Sequence, residues 1–187
     1  MKTSDDICGG VTVYCGSCEG DMPGYAAGAR AIGAALAEAG VPLIYGGGRM
    51  GLMHATADAC RRAGGETLAV IPRFMVDKGW LDTDTTYTIV AADMGERKKT
   101  FAARSRGVIA LPGGVGTLEE LAEIITWRKL GIFTGNIVIY NPGGYYDPFL
   151  AQLAACTAHG FMRDGGIEPP AVTDDPAEAV RLAIAPR

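Results

Sequence analysis

The chain has 187 residues, of which 48% are hydrophobic and 20% charged, and its formal net charge is −4. This composition excludes a disordered chain, and the slight acidity argues against a nucleic-acid groove, which would carry a basic excess. No apolar run reaches the roughly 18 residues that span a bilayer, and the first residues lack the apolar stretch of a signal peptide. Five cysteines, an odd number, are typical of free thiols in a reducing compartment. We therefore expect a single cytoplasmic domain over 1–187, with no nucleic-acid or membrane partner.

Strand-like and helix-like segments alternate along the chain, starting with a short apolar strand at 11–15. A helix opens at Pro23, because its apolar positions recur at spacings of three and four, and Gly40 fits its end. The remaining strands are predicted at 41–45, 67–71, 85–91, 107–111, 137–140 and 171–173. The remaining helices are predicted at 50–63, 94–106, 118–130, 146–159 and from 176 onward, with an irregular loop at 72–84.

Most of the predicted strands are continuous apolar runs rather than alternating apolar and polar residues. Such strands are typical of a parallel sheet that helices cover on both faces. The sequence therefore predicts an α/β fold that is Rossmann-like and doubly wound, with a mostly parallel sheet. Folds of this class bind ligands at the carboxyl ends of their strands, and the 27 glycines gather there in short clusters.

The first glycine cluster follows the second predicted strand, where Gly46, Gly48 and Gly51 match the dinucleotide pattern G-x-G-x-x-G. Two features count against a dinucleotide. The motif follows the second strand rather than the first, and the next strand runs into Pro72 without the acidic residue that would bind the ribose hydroxyls. We therefore expect no dinucleotide cofactor.

The second glycine cluster, P-G-G-V-G-T-L-E-E at 112–120, joins the fifth predicted strand to a helix. Glycines let backbone N–H groups close on a ligand, and the N-terminus of the helix attracts an anion such as phosphate. No Gly-Lys-Ser/Thr follows, so the cluster is not a nucleoside-triphosphate loop. The spacing of Thr117 and Glu120 suits a helix capping box and a catalytic carboxylate equally well.

Three cations stand at the start of the helix predicted at 94–106, namely Arg97, Lys98 and Lys99. Each cation in a first helical turn opposes the helix dipole and typically loses about 0.3–1 kcal/mol, which Asp93 as N-cap offsets in part. An anionic ligand or a carboxylate partner explains the cluster more simply. We favour ligand binding for Arg97, since its strand end adjoins the glycine clusters in this fold, and a solvated position for Lys99.

These motifs together resemble the Lonely Guy (LOG) family of phosphoribohydrolases, whose members are often mislabelled lysine decarboxylases. The family pattern combines G-S after the first strand, G-G-G-x-x-G-L-M after the second, M-x-x-R-K, P-G-G-x-G-T-x-x-E and T-W-x-x-L-G-I. In this chain the five motifs stand at 16–17, 46–53, 94–98, 112–120 and 126–132. The resemblance covers about residues 11–162.

The resemblance implies hydrolysis of the N-glycosidic bond of a nucleoside 5′-monophosphate, the small-molecule partner, to a free base and ribose 5-phosphate. The implied substrates are N6-prenylated adenosine monophosphates, which yield active cytokinins, or AMP itself in nucleotide salvage. Arg97 and Glu120 are the implied catalytic pair, and a homodimer is the implied assembly. The implied substrate-binding residues are Gly16, Ser17, Gly46, Gly47, Gly48, Met94, Lys98, Gly113, Gly114, Val115, Gly116, Thr117, Glu119 and Thr126. We expect neither a cofactor nor a metal ion.

Two points remain open in the sequence. A nucleotide-binding or carrier module would use the same glycine loops without cleaving its ligand, although the presence of both Arg97 and Glu120 favours the enzyme. The chain also departs from the family pattern at Gly95, at 18–19 and at 77–79, where the family often has a glutamate. These departures bear on the preference for the base, so prenylated and plain AMP remain alternatives. A pyridoxal-phosphate decarboxylase is discounted, since none of the lysines stands in a Ser-x-His-Lys setting.

Overall fold

A computed structural model, which describes residues 3–162 and 168–186, contains one sheet of seven strands. The strands are β1 (Gly10–Tyr14), β2 (Leu43–Tyr45), β3 (Thr67–Pro72), β4 (Tyr87–Ala91), β5 (Ser105–Ala110), β6 (Asn136–Tyr140) and β7 (Ala171–Thr173). Their order in the sheet is β4-β3-β2-β1-β5-β6-β7, and each neighbouring pair is parallel. The predicted Rossmann-like α/β fold is therefore confirmed.

Helices cover both faces of the sheet, because alternate strand residues point to opposite sides. The helices are α1 (Pro23–Glu38), α2 (Gly51–Arg62), α3 (Arg73–Asp77), α4 (Met94–Arg104), α5 (Val115–Lys129), α6 (Asp147–Ala158) and α7 (Pro176–Ile184). On β1, Val11 and Val13 pack into a buried cluster with α1, α2 and α7. Tyr14 joins the cluster on the other face, with α4, α5 and α6. The doubly wound arrangement thus follows from the apolar strands.

Two predicted segments differ from the structure, and the other element boundaries lie within two residues of their predicted places. The segment 72–84, predicted as an irregular loop, contains the short helix α3. The helix predicted from 118 begins three residues earlier, because Gly114 takes the N-cap position and α5 starts at Val115. The side chain of Val115 is 84% exposed, so it adds nothing to the apolar periodicity from which the start was predicted.

Two findings bear on the environment of the chain. All five cysteines are among the described residues, and they are free thiols, as predicted. Within 3–162 and 168–186, no helix has both the length and the apolar character that crossing a membrane requires.

Candidate active site

The loops after β1, β2 and β5 meet at the carboxyl edge of the sheet, since these three strands are neighbours. The N–H of Gly16 donates to the carbonyl of Pro112 at 3.0 Å and joins the first loop to the third. Gly51 has a φ of +63°, and a Cβ there would lie 2.2 Å from the carbonyl carbon of Ser17. Only glycine therefore lets the loop after β1 pack against the start of α2.

A first cleft of about 330 Å³ opens between the loops after β1 and β5. Tyr145, which lines it, donates its hydroxyl to the carbonyl of Gly113 at 2.5 Å. Among the described side chains, none caps the first N–H groups of α5, which begins beside the cleft after Gly114. An uncapped N-terminus of a long helix attracts an anion through these N–H groups and the helix dipole. The first cleft is therefore suited to a phosphate group.

Arg97 on α4 and Glu120 on α5 form a buried ion pair beside these loops. Nη2 of Arg97 lies 3.8 Å from Oε1 of Glu120, and the two side chains are only 6% and 10% exposed. The guanidinium also lies 5.2 Å from the ring centroid of Phe101, and Nη2 donates to the carbonyl of Gly46 at 3.5 Å. A Cβ on Gly46 would lie 2.3 Å from Nη2, so the glycine after β2 makes room for the guanidinium.

Burial sets the ionisation of this pair. Loss of contact with water raises the pKa of Glu120 to about 7, although the neighbouring Arg97 favours the carboxylate. Burial also lowers the pKa of Arg97, and its Nε is buried without a hydrogen-bond partner among the described residues. A buried polar group left unpaired costs about 1–3 kcal/mol. Such costs are typical of groups retained for chemistry rather than for stability.

A second cleft of about 470 Å³ shares Ser17 with the first. The guanidinium of Arg97 lines it as well. Its other walls are largely apolar, and their large side chains are Met50, Met53, Ile71, Met75 and Trp80. Flexible thioethers and a flat indole adapt to a planar heterocycle with an apolar substituent. A cleft that adjoins the N-terminus of α5 and a largely apolar cleft thus lie side by side at the sheet edge.

The predicted substrate-binding residues mostly lie at these two clefts. Those lining the first cleft are Gly16, Ser17, Gly113 and Gly114. Those lining the second are Ser17, Gly46 and Gly48, and Gly47 lies between the last two. Those in the first turn of α5 are Val115, Gly116 and Thr117. Met94 packs on Arg97, with its Sδ 3.7 Å from Nη1. These positions agree with the predicted roles, which remain predictions.

Three predicted contacts lie elsewhere. Nζ of Lys98 lies 2.5 Å from Oε1 of Glu119 and 3.0 Å from Oε1 of Glu123. Lys98 and Glu119 therefore pair with each other. Thr126 is exposed on α5, about 13 Å along the axis from Thr117 at 1.5 Å per residue, and its hydroxyl donates to a backbone carbonyl of its own helix. Its role at the substrate also stays a prediction.

The structure excludes one of the two interpretations of the Thr117 and Glu120 spacing, the capping box, and leaves the catalytic carboxylate a prediction. Thr117 lies inside α5 because the N-cap is Gly114, and the Glu120 side chain contacts Arg97. The capping box is therefore wrong. The apolar walls of the second cleft were not predicted from the sequence, since they come from separate segments. One residue could have indicated them, namely Trp80, a large aromatic residue within the predicted loop at 72–84.

Known proteins resemble this chain in sequence over most of its length. It matches the family model described as possible lysine decarboxylase over residues 53–183. It is 38% identical over 154 residues to the cytokinin riboside 5′-monophosphate phosphoribohydrolase LOG of Oryza sativa subsp. japonica. It is 40% identical over 153 residues to the cytokinin riboside 5′-monophosphate phosphoribohydrolase LOG5 of Arabidopsis thaliana. The chain belongs to the LOG family. Each LOG alignment covers 82% of this chain but 64% and 67% of the rice and Arabidopsis proteins, so the chain spans about two thirds of their length.

Solved structures of other proteins share the fold of this LOG-family chain. The molybdenum cofactor binding protein from the phototrophic bacterium Rippkaea orientalis has a TM-score of 0.70, covering 93% of this chain and 94% of that one, at 19% identity. The molybdenum cofactor carrier protein from Chlamydomonas reinhardtii has a TM-score of 0.69 with the same coverage, at 21% identity. At these identities the likeness establishes the α/β fold alone.

Proposed function

We propose that this LOG-family chain hydrolyses the N-glycosidic bond of an adenosine 5′-monophosphate, releasing the free base and ribose 5-phosphate. The observation that carries the proposal is the buried Arg97–Glu120 pair, because Arg97 also lines the apolar cleft and Glu120 lies on α5, whose N-terminus begins beside the first cleft. The plant relatives, at 38% and 40% identity, are named as phosphoribohydrolases of cytokinin riboside 5′-monophosphates. The apolar second cleft favours an N6-prenylated base as the substrate.

The phosphate would bind at the N-terminus of α5, in the first cleft. Backbone N–H groups of Val115 and Gly116, together with the Thr117 hydroxyl, are the donors available there. Binding energy at the phosphate, remote from the bond that breaks, would hold the ribose in place against the catalytic pair. The base would occupy the second cleft, on the other side of Ser17.

Cleavage of the glycosidic bond develops positive charge on the ribose. The ionised Glu120 stabilises this charge and accepts a proton from the water that attacks the anomeric carbon. The bonding electrons leave with the base, and Arg97, which lines the second cleft, donates a hydrogen bond to the departing ring, which then takes up the proton that Glu120 accepted. A Glu120 pKa of about 7 lets the side chain hold and release a proton near neutral pH.

The family description also names a lysine decarboxylase, and the lysines at the site do not suit that reaction. A pyridoxal-phosphate enzyme binds its cofactor through a Schiff-base lysine, which is nucleophilic only when its pKa is lowered. The pKa of Lys98 is raised, chiefly by its hydrogen bond to Glu119. Lys78, at the second cleft, is exposed to solvent rather than desolvated. These residues do not fit the cofactor, so we do not propose decarboxylation.

The proposal is tested by incubating the purified protein with AMP and with N6-isopentenyl-AMP, and measuring free base and ribose 5-phosphate by chromatography. We expect release from both, and a decrease of about 10²–10³-fold in Glu120→Gln with substrate binding retained, since one stabilising group is lost in the transition state. Glu123→Gln, one turn further along α5, is the matched control and keeps its activity. Tight binding of both nucleotides without any base release would instead make the protein a nucleotide carrier.

We also propose that the chain acts as a homodimer in the cytoplasm. The free thiols of all five cysteines suit a reducing compartment. Leu130 and Ile132, beyond the end of α5, are largely exposed and offer apolar surface to a second copy. Light scattering of the eluting protein gives the mass, and charged substitutions at Leu130 and Ile132 would convert a dimer to a monomer.

A further inference from the structure

A second buried carboxylate lies outside the catalytic pair, in the segment between α3 and β4. Asp82 is 3% exposed, and its Oδ2 accepts hydrogen bonds from the hydroxyl of Tyr45 and from Nη1 of Arg61, both at 3.1 Å. Nδ1 of His54 lies 3.7 Å from the same oxygen, buried and without a hydrogen bond among the described residues. Asp82 thus ties its own segment to β2 and to α2.

The backbone of the same segment is joined to the glycine cluster after β2. The N–H of Asp82 donates to the carbonyl of Gly47 at 2.8 Å, and Arg49 N–H donates to the carbonyl of Trp80 at 3.1 Å. Gly48 and Leu81 form an antiparallel bridge. Residues 80–82 therefore lie along the glycine loop like a short extra strand, with Asp82 at the inner end.

The outer end of this segment forms one side of the second cleft, lined by Lys78 and Trp80. Nζ of Lys78 lies 5.0 Å from the Trp80 ring centroid and 5.8 Å from that of Phe74. These side chains are all exposed, so their cation–π contacts are weak. We refer to Lys78–Trp80 as the cleft wall. Because these side-chain contacts are weak, the position of the wall depends on its backbone hydrogen bonds, including the one from Arg49 N–H to the Trp80 carbonyl, and on the neighbouring buried anchor at Asp82.

Anchoring a loop with a buried carboxylate is energetically unfavourable unless the charge is well paired. Desolvating the charge costs several kcal/mol, which is recovered only with well-placed partners, and apolar packing would suffice for stability alone. The partners of Asp82 come from β2 and α2, which flank the second cleft. Tyr45 ends β2 directly before Gly46, and Arg61 is on the helix that supplies Met53 to the cleft. The network thus fixes the wall relative to the opposite side of the cleft.

We propose that Asp82 is a positioning residue that holds the Lys78–Trp80 wall against the second cleft and so determines which base substituents the site accepts. The inference rests on the proposed function, in which the base occupies this cleft. Loss of the anchor lets the wall move outward, so substrates with a large N6 substituent lose contacts. The phosphate cleft is unaffected, since neither Lys78 nor Trp80 lines it.

The test compares Asp82→Asn with Asp58→Asn, which breaks an ion pair of 2.9 Å to Arg62 at the surface of α2. KM and kcat are measured with AMP and with N6-benzyl-AMP, together with inhibition by ribose 5-phosphate. For Asp82→Asn we expect KM for N6-benzyl-AMP to rise about tenfold, with kcat nearly unchanged, since contacts common to ground and transition states are lost. KM for AMP and inhibition by ribose 5-phosphate stay close to their original values, and Asp58→Asn changes none of them.

Equal changes in all three measurements, or none, would overturn the proposal and leave Asp82 a structural residue. If Asp82→Asn does not fold, Trp80→Ala removes the wall and leaves the network intact, so it must give the same selective rise in KM. An unaltered KM in Trp80→Ala is equally decisive against the proposal. If the unmodified protein releases no base, the proposed function fails separately. Movement of the cleft wall is then measured in a Trp127→Phe background, in which Trp80 is the remaining tryptophan. There, Asp82→Asn must make Trp80 fluorescence more accessible to a soluble quencher.

Discussion

Three ion pairs join α4 to α5, one inner pair and an outer cluster of two, and they involve neighbouring residues of α4. The inner pair, Arg97 with Glu120, is buried at 3.8 Å. The outer cluster, Lys98 with Glu119 and Glu123, lies nearer the surface at 2.5 and 3.0 Å. The outer contacts are shorter, yet water screens them and such pairs contribute about 0–1 kcal/mol. The inner pair is longer but desolvated, so removing one of its partners lowers the free energy of unfolding by more than removing an outer residue does.

The difference between the pairs comes from helix geometry. Successive residues of an α-helix point about 100° apart, so Arg97 turns toward Gly46 and Glu120 while Lys98 turns toward Glu119 and Glu123. The same rotation separates Glu120 from Glu119 on α5. Two short motifs therefore supply both a buried pair and a cluster nearer the surface. Four experiments test this distinction, and those with the greatest expected change come first.

The largest effect is expected for Arg97→Met. Removing the guanidinium leaves Glu120 buried without its positive neighbour, which raises the pKa of Glu120 further and keeps it protonated at neutral pH. We expect kcat/KM for base release to fall by about a hundredfold or more. Steady-state kinetics on AMP checks this, with thermal unfolding to show that the variant is folded. Activity close to that of the unmodified protein would place Arg97 outside the chemistry.

A smaller loss is expected for Gly46→Ala, which leaves both charged residues in place. The new Cβ would lie 2.3 Å from Nη2 of Arg97, and the end of a flexible side chain moves aside at little cost to folding. We expect kcat/KM to fall about 10–100-fold, since small misplacements of a catalytic group are costly, with little change in melting temperature. Gly24→Ala, in α1 with open space around it, is the control. Equal activity of the two variants would contradict the expectation.

The third experiment uses the pH dependence of stability. The pKa of Glu120 is about 7 in the folded chain against an ordinary value of 4.5, so between these values the folded state keeps a proton that the unfolded state releases. The stabilisation is fully present below pH 4.5 and is lost as the pH rises toward 7. Glu120→Gln does not lose stability in this way, because glutamine has no carboxyl group to ionise. From pH 5 to 8, the free energy of unfolding should therefore shift in favour of the variant by on the order of 2–3 kcal/mol.

Urea unfolding at several pH values measures this shift. Glu123→Gln is the control and should follow the unmodified protein across the whole range, because its carboxylate belongs to the outer cluster. If the free energy of unfolding changed with pH in the same way in the unmodified protein and in Glu120→Gln, the carboxyl group of Glu120 would titrate like an exposed one.

The smallest effect is expected for Lys98→Met. Loss of the outer contacts should lower the free energy of unfolding by less than about 1 kcal/mol. The same variant tests the predicted substrate contact of Lys98. Because Lys98 is already paired with Glu119 and Glu123, we expect its replacement to change KM for AMP by less than about threefold. A KM rise of tenfold or more would show that Lys98 exchanges its carboxylate partners for the substrate.

Much of the fold was predictable from local features of the chain. Pro23 begins α1 as expected, and Asp93 caps α4 through a hydrogen bond from the N–H of Glu96 at 2.8 Å. The start of α5 was not predictable in this way, since its N-cap residue Gly114 has no side chain that would indicate a cap. Arg97, Glu120 and the glycine loops were found through their motifs. Asp82 was missed, because a carboxylate in a polar segment looks solvated until its neighbours are known.

The parallel sheet and the places of the glycine loops follow from the amino-acid sequence alone, because strand periodicity and backbone freedom are properties of a few consecutive residues. The burial of Arg97 against Gly46 and Glu120, with the adjacent Lys98 nearer the surface, follows only from the folded arrangement of α4 and α5. The same is true of Trp80 and Met50, which line one cleft. These outcomes depend on packing between segments tens of residues apart, and burial, which sets the charge of an acid, is a property of the neighbours and not of the residue.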